Sequence, residues 1–224
     1  MKTLILRIDP GAYDSGAARP VIEIVRGGGV VVYPTETFYG LGVDAFSAEA
    51  VRKVYALKKR DRGKPLSIVV AGLAEAERVA AENTADDSQG AAAGPPPIFR
   101  RFAAEFWPGP LTIVLKAKPV LPSEMLGPGG TVALRVPGSA WLRAFLGDLG
   151  VPLTATSANL SGAGEISDPA EIIRRFEGKV EAIVDGGTTP GGLPSTVLDL
   201  TSNPPKILRE GAVPSRKLVS PRPR

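Results

Sequence analysis

The chain has 224 residues, 43% hydrophobic and 22% charged, the balance of a globular protein that can bury a full core. It contains no cysteine and no histidine, which excludes disulfides, thiolate nucleophiles, zinc ribbons, Ser-His-Asp triads and HExxH metalloprotease sites. The formal charge of +4 resides in residues 214–224, where Arg216, Lys217, Arg222 and Arg224 face no acid, so residues 1–213 are formally neutral and any anion site must be a local cluster.

Residues 3–8 read as an edge strand. Residues 20–26 read as a short helix ending at Gly27-Gly28-Gly29, and 30–33 as a buried β-branched strand stopped by Pro34. A Thr- and Gly-rich loop is expected over 35–44. Ser47 then caps a helix that runs to about Lys59, with Glu49 in its first turn. A basic loop, a strand over 66–71 and a helix over 73–82 follow. Residues 84–97 (TADDSQGAAAGPPP) are low in complexity and are expected to form a flexible insertion. Beyond it the pattern predicts a helix over 98–106, strands over 111–116 and 131–136, a helix over 140–149, a strand over 153–155 and a helix over 169–176. Three strands, at 182–185, 196–200 and 206–209, complete the series. Strands alternating with helices define an α/β class, and some connections are too short for parallel crossovers, so the sheet is expected to be mixed. Residues 1–213 are expected to form one catalytic domain and 214–224 a basic, disordered tail. No apolar run reaches the roughly 18 residues that span a bilayer. The first nine residues lack a signal-peptide core, so a cytoplasmic location without membrane association is expected.

Three stretches could carry chemistry. Lys58-Lys59-Arg60-Asp61-Arg62-Gly63-Lys64 places five cations where a helix becomes a loop. Such cations can simply offset the helix dipole, or they can clamp a polyphosphate through charge-assisted bonds. Thr154 to Gly162 (TATSANLSG) follows a strand with small hydroxyl and amide side chains, which suit either a strand-capping turn or a phosphate and ribose cradle. Tyr33 to Gly42 (YPTETFYGLG) formally contains GxGxxA with Ala45. A dinucleotide site is rejected there, because the glycines lie well past the strand and no helix N-terminus follows them directly. Arg135, inside Leu134-Arg135-Val136-Pro137, interrupts an apolar strand and calls for a partner such as a substrate carboxylate.

YPTET with YGLG, LKKR followed by KPLSI, FWPGPLT, ALRVP, TSANLSG, PSTVLDLT and ILREG occur here in the order found in the YrdC-like family, the threonylcarbamoyl-adenylate synthases, and the chain resembles their single-domain type over residues 15–213. The resemblance implies a twisted mixed sheet flanked by helices, with a concave basic cleft. It implies synthesis of L-threonylcarbamoyl-adenylate and pyrophosphate from ATP, L-threonine and bicarbonate or carbon dioxide, with Mg2+. A downstream threonylcarbamoyl-transferase complex would then modify position 37 of tRNA. By motif position, Lys58 and Arg60 would act on the ATP phosphates with Lys64 beside them. Thr112, Ser157, Asn159, Ser167 and Arg209 would contact the nucleotide, and Thr35, Arg135 and Ser195 would surround the threonine. Where many relatives carry a histidine after KPL, this chain has Ile68-Val69-Val70. The alternative expectation is a non-catalytic paralogue that binds tRNA or double-stranded RNA on the same concave face.

Overall fold

In the computed structural model, residues 2–81, 97–159 and 164–219 are described. The expected insertion over 84–97 therefore lies outside the described residues, except for Pro97 at the start of a helix. Ten strands form one sheet: β1 (Leu4–Arg7), β2 (Val31–Tyr33), β3 (Gly40–Gly42), β4 (Ser67–Val69), β5 (Leu111–Lys116), β6 (Thr131–Arg135), β7 (Leu153–Ser157), β8 (Ala182–Asp185), β9 (Thr196–Asp199) and β10 (Lys206–Arg209), in the spatial order β1-β8-β2-β3-β7-β4-β6-β5-β9-β10. Four pairs are parallel (β1/β8, β2/β8, β4/β6, β5/β9) and five antiparallel, so the sheet is mixed as expected. The helices are α1 (Ser15–Arg26), α2 (Ala48–Lys58), α3 (Leu73–Val79), α4 (Pro97–Phe106), α5 (Ala140–Leu149), α6 (Pro169–Phe176) and α7 (Ser215–Val219).

The period-2 alternation of the strands sends their side chains to two different cores. Val32, Ile68, Ile113, Leu134 and Leu198 enter a large core with α2, α3, α4 and α6. Val31, Tyr33, Val69, Leu153 and Val184 pack on the other face beneath α1 and α5. Those two helices cover only one end of that face, and the uncovered remainder is where the site lies.

Four elements differ from the sequence expectation. Asp14 caps α1 by accepting from the backbone N–H groups of Gly16 and Ala17, so the helix begins five residues before Pro20. The apolar face of α1, with Ala18, Val21, Ile22 and Val25 buried, outweighs the backbone bond that Pro20 forfeits. The expected loop over 35–44 contains β3, which pairs with β2 and β7; its glycines are strand residues, in line with the rejection of a dinucleotide loop. The strand expected to end at Ala155 continues to Ser157 by pairing with Gly40 and Leu41. Finally, the tail expected to be disordered from residue 214 begins with α7. Leu218 and Val213 are buried in the large core, and the Thr196 hydroxyl both donates to and accepts from the Val213 backbone.

The glycines of β3 answer a packing demand. The Tyr33 ring lies over them, and its hydroxyl donates to the Thr154 carbonyl at 3.0 Å. A Cβ at Gly42 would meet the Thr154 carbonyl oxygen at 2.5 Å and Tyr33 Cε1 at 2.8 Å. Gly42→Ala is therefore expected to cost about 2–3 kcal/mol in urea denaturation. A loss under about 0.5 kcal/mol would show that β3 can slide away from β7 freely.

Candidate functional site

Small side chains leave the site its volume. Ala155, Ser67, Ala133 and Val114 stand opposite one another on β7, β4, β6 and β5, on the face that α1 and α5 leave bare. They floor a cleft of about 350 Å³, within the size range of small-molecule sites. Of the residues assigned from sequence, Thr35, Arg60, Thr112, Arg135, Ser157, Ser195 and Arg209 all line it. They come from positions as far apart as 35 and 209, and the sheet order brings them together.

Lys58 does not line the cleft. It is the last residue of α2 and is 2% exposed. Its Nζ donates to the carbonyl of Ser157, to the carbonyl of Asn159 at 2.7 Å and to Asn159 Oδ1 at 2.8 Å. The Ser157 hydroxyl donates to the same Oδ1 at 2.8 Å. The cationic stretch and the small-residue turn are thus one hydrogen-bonded unit, with the ammonium behind the turn and Thr156 and Ser157 facing the cleft. Burial, and after it the Arg60 guanidinium, hold the Lys58 ammonium down to a pKa of about 8. Asn159 is likewise buried, at 7% exposure, and its amide donates to the Gly164 carbonyl at 3.2 Å.

Arg60 follows the left-handed Lys59 that ends α2. It borders the cleft while its Nε donates to the Lys64 carbonyl at 2.9 Å and its Nη2 to the Pro65 carbonyl at 3.2 Å. It therefore shapes the 61–65 loop as well as supplying charge. Lys64 is exposed and outside the cleft lining, and its carbonyl is the part that takes part in the site. Ser167 also stands outside the lining; its carbonyl accepts from the Thr189 N–H at 3.1 Å.

A second unit closes the β5–β9–β10 side. Thr112 and Ser195 share a hydroxyl hydrogen bond at 2.8 Å, and Arg209 Nη2 donates to both the carbonyl and the hydroxyl of Ser195, at 2.7 and 3.0 Å. The third unit is the Thr35 loop. The Thr35 hydroxyl donates to the Phe38 carbonyl at 2.7 Å and accepts from the Thr37 N–H, which turns the chain so that Thr35, Thr37 and Phe38 all reach the cleft. Arg135, at the end of β6, is paired with Glu36 of this loop, Nη1 to Oε1 at 2.5 Å.

Sequence reasoning missed Glu36, Ser67 and Glu165. Ser67 shares its strand face with the cleft row and donates to the Ala155 carbonyl at 2.7 Å, so strand alternation could have found it. Glu36 is the acid of the quoted YPTET stretch, and an arginine buried in a strand needs a counter-ion. Glu165 lines the cleft but carried no signal. In the Ile68-Val69-Val70 stretch, Val69 is fully buried in the core under α1 and α5 rather than in the cleft lining.

An open mixed sheet carrying a polar, arginine-lined cleft on its half-covered face defines an α/β protein with a site suited to a small anionic ligand. The Sua5-yciO-yrdC family, described as Telomere recombination, matches residues 23–211, and the chain belongs to that family. It is 37% identical over 194 residues to the threonylcarbamoyl-AMP synthase of Pyrococcus abyssi (strain GE5 / Orsay), covering 87% of this chain and 54% of that protein. The structure of P. abyssi Sua5 complexed with L-threonine matches with a TM-score of 0.85 at 33% identity, over 97% of this chain and 60% of that one. E. coli YciO matches with a TM-score of 0.79 at 30% identity, over 94% of this chain and 96% of its own. The chain spans about half the length of the curated relatives it matches. Among the described residues, no helix is long and apolar enough to cross a membrane.

Proposed function

We propose that this chain makes L-threonylcarbamoyl-adenylate and pyrophosphate from ATP, L-threonine and bicarbonate or carbon dioxide. The carrying observation is the meeting, in one cleft, of the Lys58-braced turn and Arg60 with Arg135 and the Thr35 loop. In this reading the first pair receives the triphosphate and the second the amino acid. The P. abyssi protein that binds L-threonine shares the fold over nearly all of this chain, which supports the amino-acid end.

The chemistry needs positioning and charge neutralisation more than proton transfer. Threonine's amine and carbon dioxide give a carbamate, and one of its oxygens attacks the α-phosphorus in line as pyrophosphate leaves. The absence of histidine and cysteine is then no handicap. Ser157, Arg60 and the Thr112–Ser195–Arg209 unit would hold phosphate and nucleotide, with Asn159 and the Lys58 charge behind the turn. Arg135, with Thr35 and Ser195 near it, would take the threonine carboxylate. Lys64 and Ser167 would act from the margin. Mg2+ would arrive with the triphosphate as part of the substrate. The product would pass to a threonylcarbamoyl transferase acting on tRNA in the cytoplasm, with residues 1–213 as the catalytic unit.

Omitting substrates one at a time tests this. Pyrophosphate release is expected only with ATP, L-threonine and bicarbonate all present, and at a much lower rate when serine replaces threonine. Salt-sensitive binding of structured RNA without threonine-dependent turnover would replace the synthase with the RNA-binding reading.

A further inference from the structure

Ala155, Ser67, Ala133 and Val114 lie side by side on the cleft floor, across β7, β4, β6 and β5. Of these four, only Ser67 carries a side-chain polar atom. The register places it between the two ends of the site. From Ala133, β6 runs two residues on to Arg135, whereas from Ala155, β7 runs two residues the opposite way to Ser157. Each end is therefore one step of about 7 Å along the sheet from the Ser67 row. If Arg135 takes the substrate carboxylate and the Ser157 turn the triphosphate, the group lying over Ser67 is the one that joins them, the amino nitrogen with its captured carbon dioxide.

The hydroxyl is set up as an acceptor. It donates to the Ala155 carbonyl at 2.7 Å. A hydroxyl has one proton and two lone pairs, so with the proton committed to Ala155 it offers lone pairs to a ligand. Ser67 is half-buried and lines the cleft, so a bound molecule reaches it. The walls are rich in donors, with Arg60, Arg135 and Arg209 among them, and among the described residues the one carboxylate of the lining is Glu165, at the exposed margin. Anionic groups find partners on every side. A substrate N–H over the floor finds one side-chain acceptor there, Ser67.

We propose that Ser67 is a specificity-determining residue of the cleft: its hydroxyl accepts the N–H of the amino acid. The nitrogen keeps an N–H after capture of carbon dioxide, so the same acceptor serves the amine and the carbamate. This assignment rests on the synthase reading and narrows it at the amino-acid end.

Calorimetric titration of the wild-type and Ser67→Ala chains in bicarbonate-free buffer tests it. Alanine already stands on both sides of Ser67, so the substitution removes the hydroxyl without crowding the floor. Affinity for L-threonine is expected to fall roughly tenfold. Affinities for ATP and for (R)-3-hydroxybutanoate, which keeps the carboxylate and hydroxyl of threonine but lacks the amine, are expected to change less than about twofold. A loss for ATP or for (R)-3-hydroxybutanoate as large as that for threonine would show that Ser67 serves another group or only shapes the floor, and would overturn the assignment. If Ser67→Ala fails to fold in a thermal melt, Ser67→Cys takes its place and the same outcomes apply. Unchanged threonine affinity in the variant, with pyrophosphate release intact, removes this assignment alone. Absence of threonine binding to the wild-type chain removes the synthase reading and this assignment with it.

Discussion

Lys58→Met is expected to cut threonine-dependent pyrophosphate release at least about a hundredfold and to lower folding stability by about 3 kcal/mol. Methionine fills a similar volume but donates nothing, so the carbonyls of Ser157 and Asn159 and the Asn159 amide oxygen lose the ammonium they share. An unmet buried acceptor costs about 1–3 kcal/mol, and the Ser157 hydroxyl bond to Asn159 remains as partial compensation. The activity loss has a separate cause. Without the ammonium behind it the turn loses the bonds that fix Asn159 against α2, and misplacement by about 1 Å can cost about a hundredfold. Chemical denaturation and initial rates at saturating ATP measure the two effects separately. Full activity with reduced stability would assign Lys58 to folding alone.

The same residue gives a pH signature of known sign. Its folded pKa, about 8, lies below the ordinary lysine value of 10.5, so the folded state binds its proton less tightly than the unfolded chain. Burial of the charge therefore penalises folding fully below about pH 8. The penalty is relieved as pH rises from there toward 10.5. Wild-type stability should gain on Lys58→Met across that window. ATP affinity should move the other way, falling above about pH 8 as the charge behind the turn is lost, and Lys58→Met should lack that inflection.

Arg135→Met is the second large effect expected. It strands the Glu36 carboxylate, 21% exposed, without its counter-ion. Breaking one side of a buried ion pair costs about 3–5 kcal/mol, and the partial exposure of Glu36 places this case near the lower end. Adding Glu36→Gln should recover much of the stability, because a neutral amide no longer needs the guanidinium. It should not recover threonine binding, because the proposed partner of the threonine carboxylate is the arginine itself. Urea denaturation of the single and double variants, with titration of threonine into each, separates the two roles. Equal stability of the single and double variants would show that the pair contributes nothing to the fold.

Much of the molecule was legible from local pattern. The β-branched run at 30–33, the apolar runs of 111–116 and 131–136 and the Ser47 cap all act over a few residues, where local pattern and capping chemistry suffice. β3 was not legible. Gly40 and Gly42 read as loop by propensity, and only the Tyr33 ring and the neighbouring β7 make a strand of them. α7 was obscured by the tail's charge, although Leu218 supplies the apolar contact that anchors it.

For the site, the sequence determined the chemical alphabet. With no histidine or cysteine available, arginine, lysine, hydroxyl and amide groups had to carry any function, and their motif order pointed to the family. The tertiary structure decided which of those groups face a ligand. Whether Lys58 reaches into the cleft or braces a turn depends on residues 99 and 101 positions away, and the Arg135–Glu36 pair also spans 99 positions. Such pairings follow from the order in which strands lie in the sheet, which no short-range periodicity encodes.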